Sequence, residues 1–181
     1  MIAWLLAVLL TISSPATATS PAQRLNPPPA PINWVSIDAW GDHCTYTHIG
    51  AVTVAATHCG IPADWHTVGD IATSGPIDWA PVPAPGTTIY AIGYPYDAHG
   101  QPVYYTLTAL KPRIVNTFAW PQLVLMAKGA GHPCSSGASG MVAWVLIDGA
   151  LAPIGPLSVG STDPAVTSLP AGQYVCGFAI A

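Results

Sequence analysis

The stretch "MVAWVLIDGALAPIGPLSV", residues 141–159, sets two apolar runs on either side of Asp148-Gly149. Asp-Gly between such runs signals a hairpin, because a two-residue turn needs the left-handed backbone that these residues tolerate. The same texture extends outward in both directions. "GQYVCGFAI" (172–180) closes the chain, and "QLVLMAKG" (122–129), "PRIVNTFAW" (112–120), "QPVYYTLTAL" (101–110) and "TTIYAIGYP" (87–95) come before the hairpin. Earlier still are "CTYTHIGAVTVAATHC" (44–59) and "WVSIDAW" (34–40). Strands recurring roughly every ten residues, with almost no helical periodicity, predict an all-β barrel or sandwich. Residues 60–76 read as polar and turn-rich, and "PIDWAPVPAPG" (76–86) as a short buried strand broken by prolines.

The 181 residues suffice for one domain, or two small packed halves, with a proper core. Only 7% of them are charged, the net charge is −4, and four Lys and Arg are the whole basic complement. No basic patch could neutralise several phosphates, so nucleic acid is not expected as a partner. The opening "MIAWLLAVLLTISSPATATS" has an apolar run, Ile2–Ile12, too short to cross a bilayer comfortably, ending in the small residues Ala16-Thr17-Ala18. Residues 1–18 are therefore expected to be a signal peptide, although no Lys or Arg precedes Arg24; an uncleaved anchor is the alternative. The proline-rich stretch 19–33 reads as an extended linker. Placing a joint near Tyr94–Gln101 gives a first half at 34–95 and a second at 96–181. A secreted monomer follows, with no membrane insertion once the signal is removed.

The four cysteines, Cys44, Cys59, Cys134 and Cys176, suit disulfides in an exported chain and permit three pairings. His48 and His58 lie near two of them, but no C-x-x-C or H-x-x-x-H spacing occurs, so neither metal nor cofactor is expected.

Just ahead of the hairpin, "GHPCSSGASG" (131–140) holds Ser139 between small residues. A serine hydroxyl becomes a nucleophile only with a base in hydrogen-bond reach, an acid behind that base, and N–H groups aimed at the developing oxyanion. "AVTVAATHCG" places His58 directly after an apolar run, and "GPIDWAPV" places Asp78 at the start of one, where a carboxylate is costly without a partner.

These segments resemble the chymotrypsin/trypsin-like serine peptidases, as a short bacterial-type member, over about residues 34–181. "AATHCG" resembles their "TAAHC" box, "SGASGMVAW" their "GDSGGP" box, and "PIDWAPV" the strand that supplies their aspartate. "YAIGYP" is similar to the strand opening the second barrel in bacterial members. "GPLSVG" puts Ser158 nineteen residues after Ser139, where the family has "SWG" lining its substrate cleft. The resemblance implies two antiparallel β-barrels with the active site between them, and disulfides Cys44–Cys59 and Cys134–Cys176. It implies an endopeptidase acting on protein or peptide through an acyl-enzyme, with Ser139 as nucleophile, His58 as base and Asp78 orienting His58. Gly137 and Ser139 would supply the oxyanion N–H groups, and Ser158, Val159 and Gly160 would line the cleft. Asp70, twelve residues after His58 in "VGDIATSG", is the rival acid; polar sequence follows it, so Asp78 is preferred.

Two departures bear on activity. Ala138 stands where most members have an aspartate that binds a newly freed N-terminus, so this chain should not use that activation switch. Met141 replaces a second glycine and implies different packing under the nucleophile. No aspartate lies just before Cys134, so Lys or Arg preference is not expected; His132 could favour an acidic side chain, with an apolar preference as the default. A catalytically silent, peptidase-like binding module is the alternative function.

Overall fold

A computed structural model of the protein describes residues 35–40, 44–94, 102–116, 121–129, 134, 137–160 and 174–181, with the backbone alone for 35–40 and 174. The expected signal and linker, together with His43, His99 and His132, lie outside the described residues.

Twelve strands and one short 3-10 turn make up the described chain. Five strands form the first sheet: β1 (Val35–Trp40), β2 (Cys44–Ile49), β3 (Val52–Ala56), β4 (His66–Val68) and β5 (Ile71–Thr73). All its pairings are antiparallel, in the order β1-β2-β3-β5-β4. The 3-10 turn, Thr57–Cys59, follows β3 directly and is stopped by Gly60 in left-handed backbone at φ +73°.

The second sheet holds β6 (Thr88–Gly93), β7 (Val103–Ala109), β8 (Arg113–Asn116), β9 (Pro121–Gly129), β10 (Val142–Ile147), β11 (Ala150–Val159) and β12 (Tyr174–Ala179). Strand β12 pairs with both β11 and β9, which closes β12-β11-β10-β6-β7-β9 into a six-stranded barrel, with β8 alongside β9. The hairpin read from Asp148-Gly149 forms as β10 and β11, with φ +49° and +82° at the two turn residues.

Period-two alternation fills the barrel. Ile89 and Ala91, Tyr105 and Leu107, Leu125 and Ala127, and Ala143 and Val145 all point inward, joined by Phe178 and Met141. Burying side chains such as Phe178 and Met141 stabilises the fold by about 1.5–3 kcal/mol each. Residues from the other face of β10, Val142 and Trp144, pack with Val54 of β3 and with Leu151, which joins the two sheets.

Three expectations need correction. Strand β6 pairs with β7 and β10, both in the second half, so the two sheets part within residues 74–87 rather than at residue 95. The turn-rich stretch 60–76 contains the hairpin β4–β5. Residues 74–87 contain no strand; Ile77 and Trp79 pack against the inter-sheet cluster while Asp78 between them is exposed.

Candidate functional site

His58 sits where β3 gives way to the 3-10 turn, and Cys59 beside it is bonded to Cys44 at the start of β2. Their Cα atoms are 5.8 Å apart, and closing a loop of this length stabilises a fold by about 3 kcal/mol. The second bond joins Cys134 to Cys176 of β12, so the two pairs are those implied by the resemblance. Cys44, His58 and Cys59 bring their sulfur and ring nitrogen atoms within 4.8 Å of one another. Both sulfurs are committed to the disulfide, so no thiolate is available there as a metal ligand.

The carboxylate facing His58 belongs to Asp70 and not to Asp78. Antiparallel register accounts for this. Ala56 pairs with Ile71, so the next residues on each strand, Thr57 and Asp70, are neighbours, and the Thr57 N–H donates to the Asp70 carbonyl at 3.2 Å. Gly69 makes the turn at φ +56°, and "VGDI" is a two-residue hairpin of the glycine-first kind. That signal was present in the sequence; the polar residues after it obscured it.

Asp70 is 5% exposed. The Ser158 hydroxyl donates to its Oδ2 and the Thr57 hydroxyl to its Oδ1, while His58 Nδ1 lies 3.7 Å from the same Oδ1. Burial alone pushes the Asp70 carboxyl upward. The neighbouring His58 imidazole and the Ser158 and Thr57 hydroxyl donors outweigh that and hold it below the usual carboxylate range. Ser158, expected in the cleft lining, thus bonds directly to the acid beside His58. Gln122 of β9 takes part from the opposite sheet. Its Oε1 accepts the Asp70 N–H at 3.0 Å, and its Nε2 donates to the carbonyls of Leu123 and Ile180. A Cβ on Gly69 would lie 1.6 Å from that Oε1, so only glycine fits there.

Ser139 is half-buried and bridges to Cys44 in parallel register. Its carbonyl accepts the Thr45 N–H at 2.7 Å and lies 3.9 Å from Cys59 Sγ, the sulfur next to His58. Gly137 has φ +93° and Gly140 φ +88°, backbone that side chains rarely adopt. A Cβ on Gly140 would meet the Thr45 carbonyl at 2.3 Å. Met141 is fully buried and fills the space over Gly93, where a Cβ would lie 2.9 Å from its sulfur. The two departures beside the serine therefore read as packing: Ala138 and Met141 are both core residues of the barrel. Val159 is buried at the end of β11, and Gly160 passes so close to Cys134 that a Cβ would sit 2.6 Å from its carbonyl oxygen.

No family model and no curated protein matches the chain. Solved structures do. The NS6 protease from murine norovirus 1 aligns over 83% of this chain and 93% of its own, with a TM-score of 0.62 and 11% identity. The inactive form of a variant of Rv3671c from M. tuberculosis H37Rv aligns over 80% of each chain, with a TM-score of 0.50 and 14% identity. The fold is chymotrypsin-like. At such identities the likeness concerns the fold alone. The chymotrypsin-like arrangement nonetheless explains why segments far apart in sequence, 57–70, 137–140 and 158–160, converge between a closed barrel and a second sheet.

Proposed function

We propose that the protein is a serine endopeptidase in which Ser139 is the nucleophile, His58 the general base and Asp70 the orienting acid. The observation that carries this reading is one buried carboxylate set against His58 Nδ1, with the Ser139 carbonyl 3.9 Å from the disulfide sulfur next to that histidine. Ser139 Oγ attacks the scissile carbonyl carbon and gives its proton to His58 Nε2. The tetrahedral oxyanion is received by the N–H groups of Gly137 and Ser139. Collapse breaks the C–N bond, and the departing amine takes the proton from His58. Water, deprotonated by the same imidazole, then hydrolyses the acyl-enzyme. Asp70 holds the imidazole in the right tautomer and stabilises its charged form throughout.

A silent binding module draws support from the 3.7 Å between His58 and Asp70, longer than a hydrogen bond. Such contacts are often long in unliganded sites and tighten around the reacting substrate, so the enzyme is the reading we prefer. A monomer acting on peptides outside the cell fits two disulfides, which persist in oxidising compartments. No helix among the described residues is long and apolar enough to cross a membrane.

A fluorophosphonate probe tests the proposal. Folded protein should be labelled once, and Ser139→Ala and His58→Ala should not be labelled. Absence of labelling in folded wild-type protein would leave the binding module standing.

A further inference from the structure

Ala138 cannot anchor the turn before Ser139 by an ion pair, yet that turn is held at both ends by one residue of the opposite sheet. Thr45 on β2 is fully buried. Its hydroxyl donates to the Gly137 carbonyl at 2.8 Å, and its N–H donates to the Ser139 carbonyl at 2.7 Å. The same hydroxyl accepts the Tyr94 N–H at 3.0 Å. A hydroxyl has a single hydrogen to give, and a backbone N–H can only donate. The Tyr94 contact therefore leaves the Thr45 hydrogen one direction, toward Gly137. Two residues on along β2, the Thr47 hydroxyl, equally buried, donates to the Gly140 carbonyl at 3.3 Å and extends the clasp past the serine.

We propose that Thr45 is a positioning residue that keeps the oxyanion turn formed at all times, without proteolytic activation. The inference rests on the peptidase reading of this site. The peptide that carries the Ser139 N–H lies between the two carbonyls that Thr45 anchors. Because peptide groups are planar, fixing the planes on either side leaves that N–H little freedom. Gly140 completes the device: its missing side chain lets the turn lie directly on the Thr45 carbonyl. Cys44, one residue before Thr45, is bonded to Cys59, so the clasp and the base share a covalent anchor.

The experiment compares full-chain wild type, Thr45→Val and Thr45→Ser. Each is assayed for the second-order rate of fluorophosphonate labelling and for amide hydrogen exchange across residues 137–141. Thr45→Val keeps the volume and the backbone N–H but removes the hydroxyl; Thr45→Ser restores the hydroxyl. Thr45→Val should label about ten- to a hundredfold more slowly, below the loss seen when an oxyanion donor itself is removed. Thr45→Ser should stay within about threefold of wild type, since it keeps the charge-neutral donor that the carbonyl requires. Exchange should quicken in Thr45→Val at 137–141 while β9 and β12 stay protected. Wild-type labelling by Thr45→Val, equal slowing by Thr45→Ser, or unchanged exchange at 137–141 would each overturn the proposal. If folded wild type is not labelled, the peptidase reading fails on its own, and the exchange comparison still decides whether Thr45 holds the turn. If Thr45→Val does not form both disulfides, Thr45→Ala takes its place with the same two expected results.

Discussion

Two aspartates lie eight residues apart on the connection from β3 to β6, and their surroundings differ completely. Asp70 sits at a hairpin turn whose ladder to β3 sets it beside Thr57, and its carboxylate is enclosed by the Ser158 and Thr57 hydroxyls and the His58 imidazole. Asp78 lies in a segment outside the strands, where Ile77 and Trp79 pack inward and Asp78 is exposed. A carboxylate becomes useful to a histidine through register and enclosure. An apolar neighbourhood along the chain does not supply either.

The largest expected effect breaks the pair apart. Asp70→Asn should reduce the fluorophosphonate labelling rate or peptide turnover by about 10³–10⁴-fold, as expected when a base loses the group that fixes its tautomer. Asp78→Asn should leave the rate within about twofold, the usual outcome for an exposed group outside the site. Equal losses from the two variants would erase the distinction drawn here.

Next in size is Gln122→Leu. It strips the Asp70 N–H of its acceptor and the Ile180 carbonyl of a side-chain donor, each worth about 1–3 kcal/mol when left unpaired, while the Leu123 carbonyl keeps the Ile180 N–H at 3.1 Å. A urea midpoint should fall accordingly and labelling should slow. Val124, the next residue but one, would show only packing loss, so unchanged labelling in folded Gln122→Leu would mean that Asp70 is held without the amide.

A pH series sharpens the comparison further. The folded Asp70 carboxyl is depressed, so its contribution to stability is fully present above the unfolded value of about 3.9 and is lost as pH falls through the lower folded value. Acid unfolding followed by tryptophan fluorescence should therefore be less steep below about pH 4 in Asp70→Asn than in wild type.

Among the residues that touch Asp70, the smallest effect is expected from Thr57→Val. The Thr57 hydroxyl donates to the Asp70 Oδ1 that faces His58, so removing it leaves the Ser158 hydroxyl as donor and the imidazole nearby. The labelling rate should change by no more than about tenfold, the scale of one hydrogen bond to a charged group. A loss as large as that of Asp70→Asn would make Thr57, and not the imidazole, the main partner of the acid.

Much of this site was legible from residue types and order. The Asp148-Gly149 turn, the strand texture around it, the His-Cys pair and the serine between small residues all carry local signals, because turn geometry and alternation are properties of neighbouring residues. The choice between Asp70 and Asp78 was not, because both follow His58 within one connection and each has an apolar or turn-like context. Thr45 and Gln122 gave no signal either. A threonine in a strand and a glutamine before "LVLM" look ordinary until their partners, Gly137 and Asp70, are brought in from 92 and 52 residues away.

By itself, then, the amino-acid order determined that the chain is all-β, where its tightest hairpin turns, and which histidine and serine to propose as a base and a nucleophile. Only the tertiary structure decided which carboxylate meets that histidine, where the two sheets part, and what holds the turn before Ser139. The reason is physical: turns and alternation depend on covalent neighbours, whereas strand register and buried hydrogen bonds exist only once distant segments share one interior.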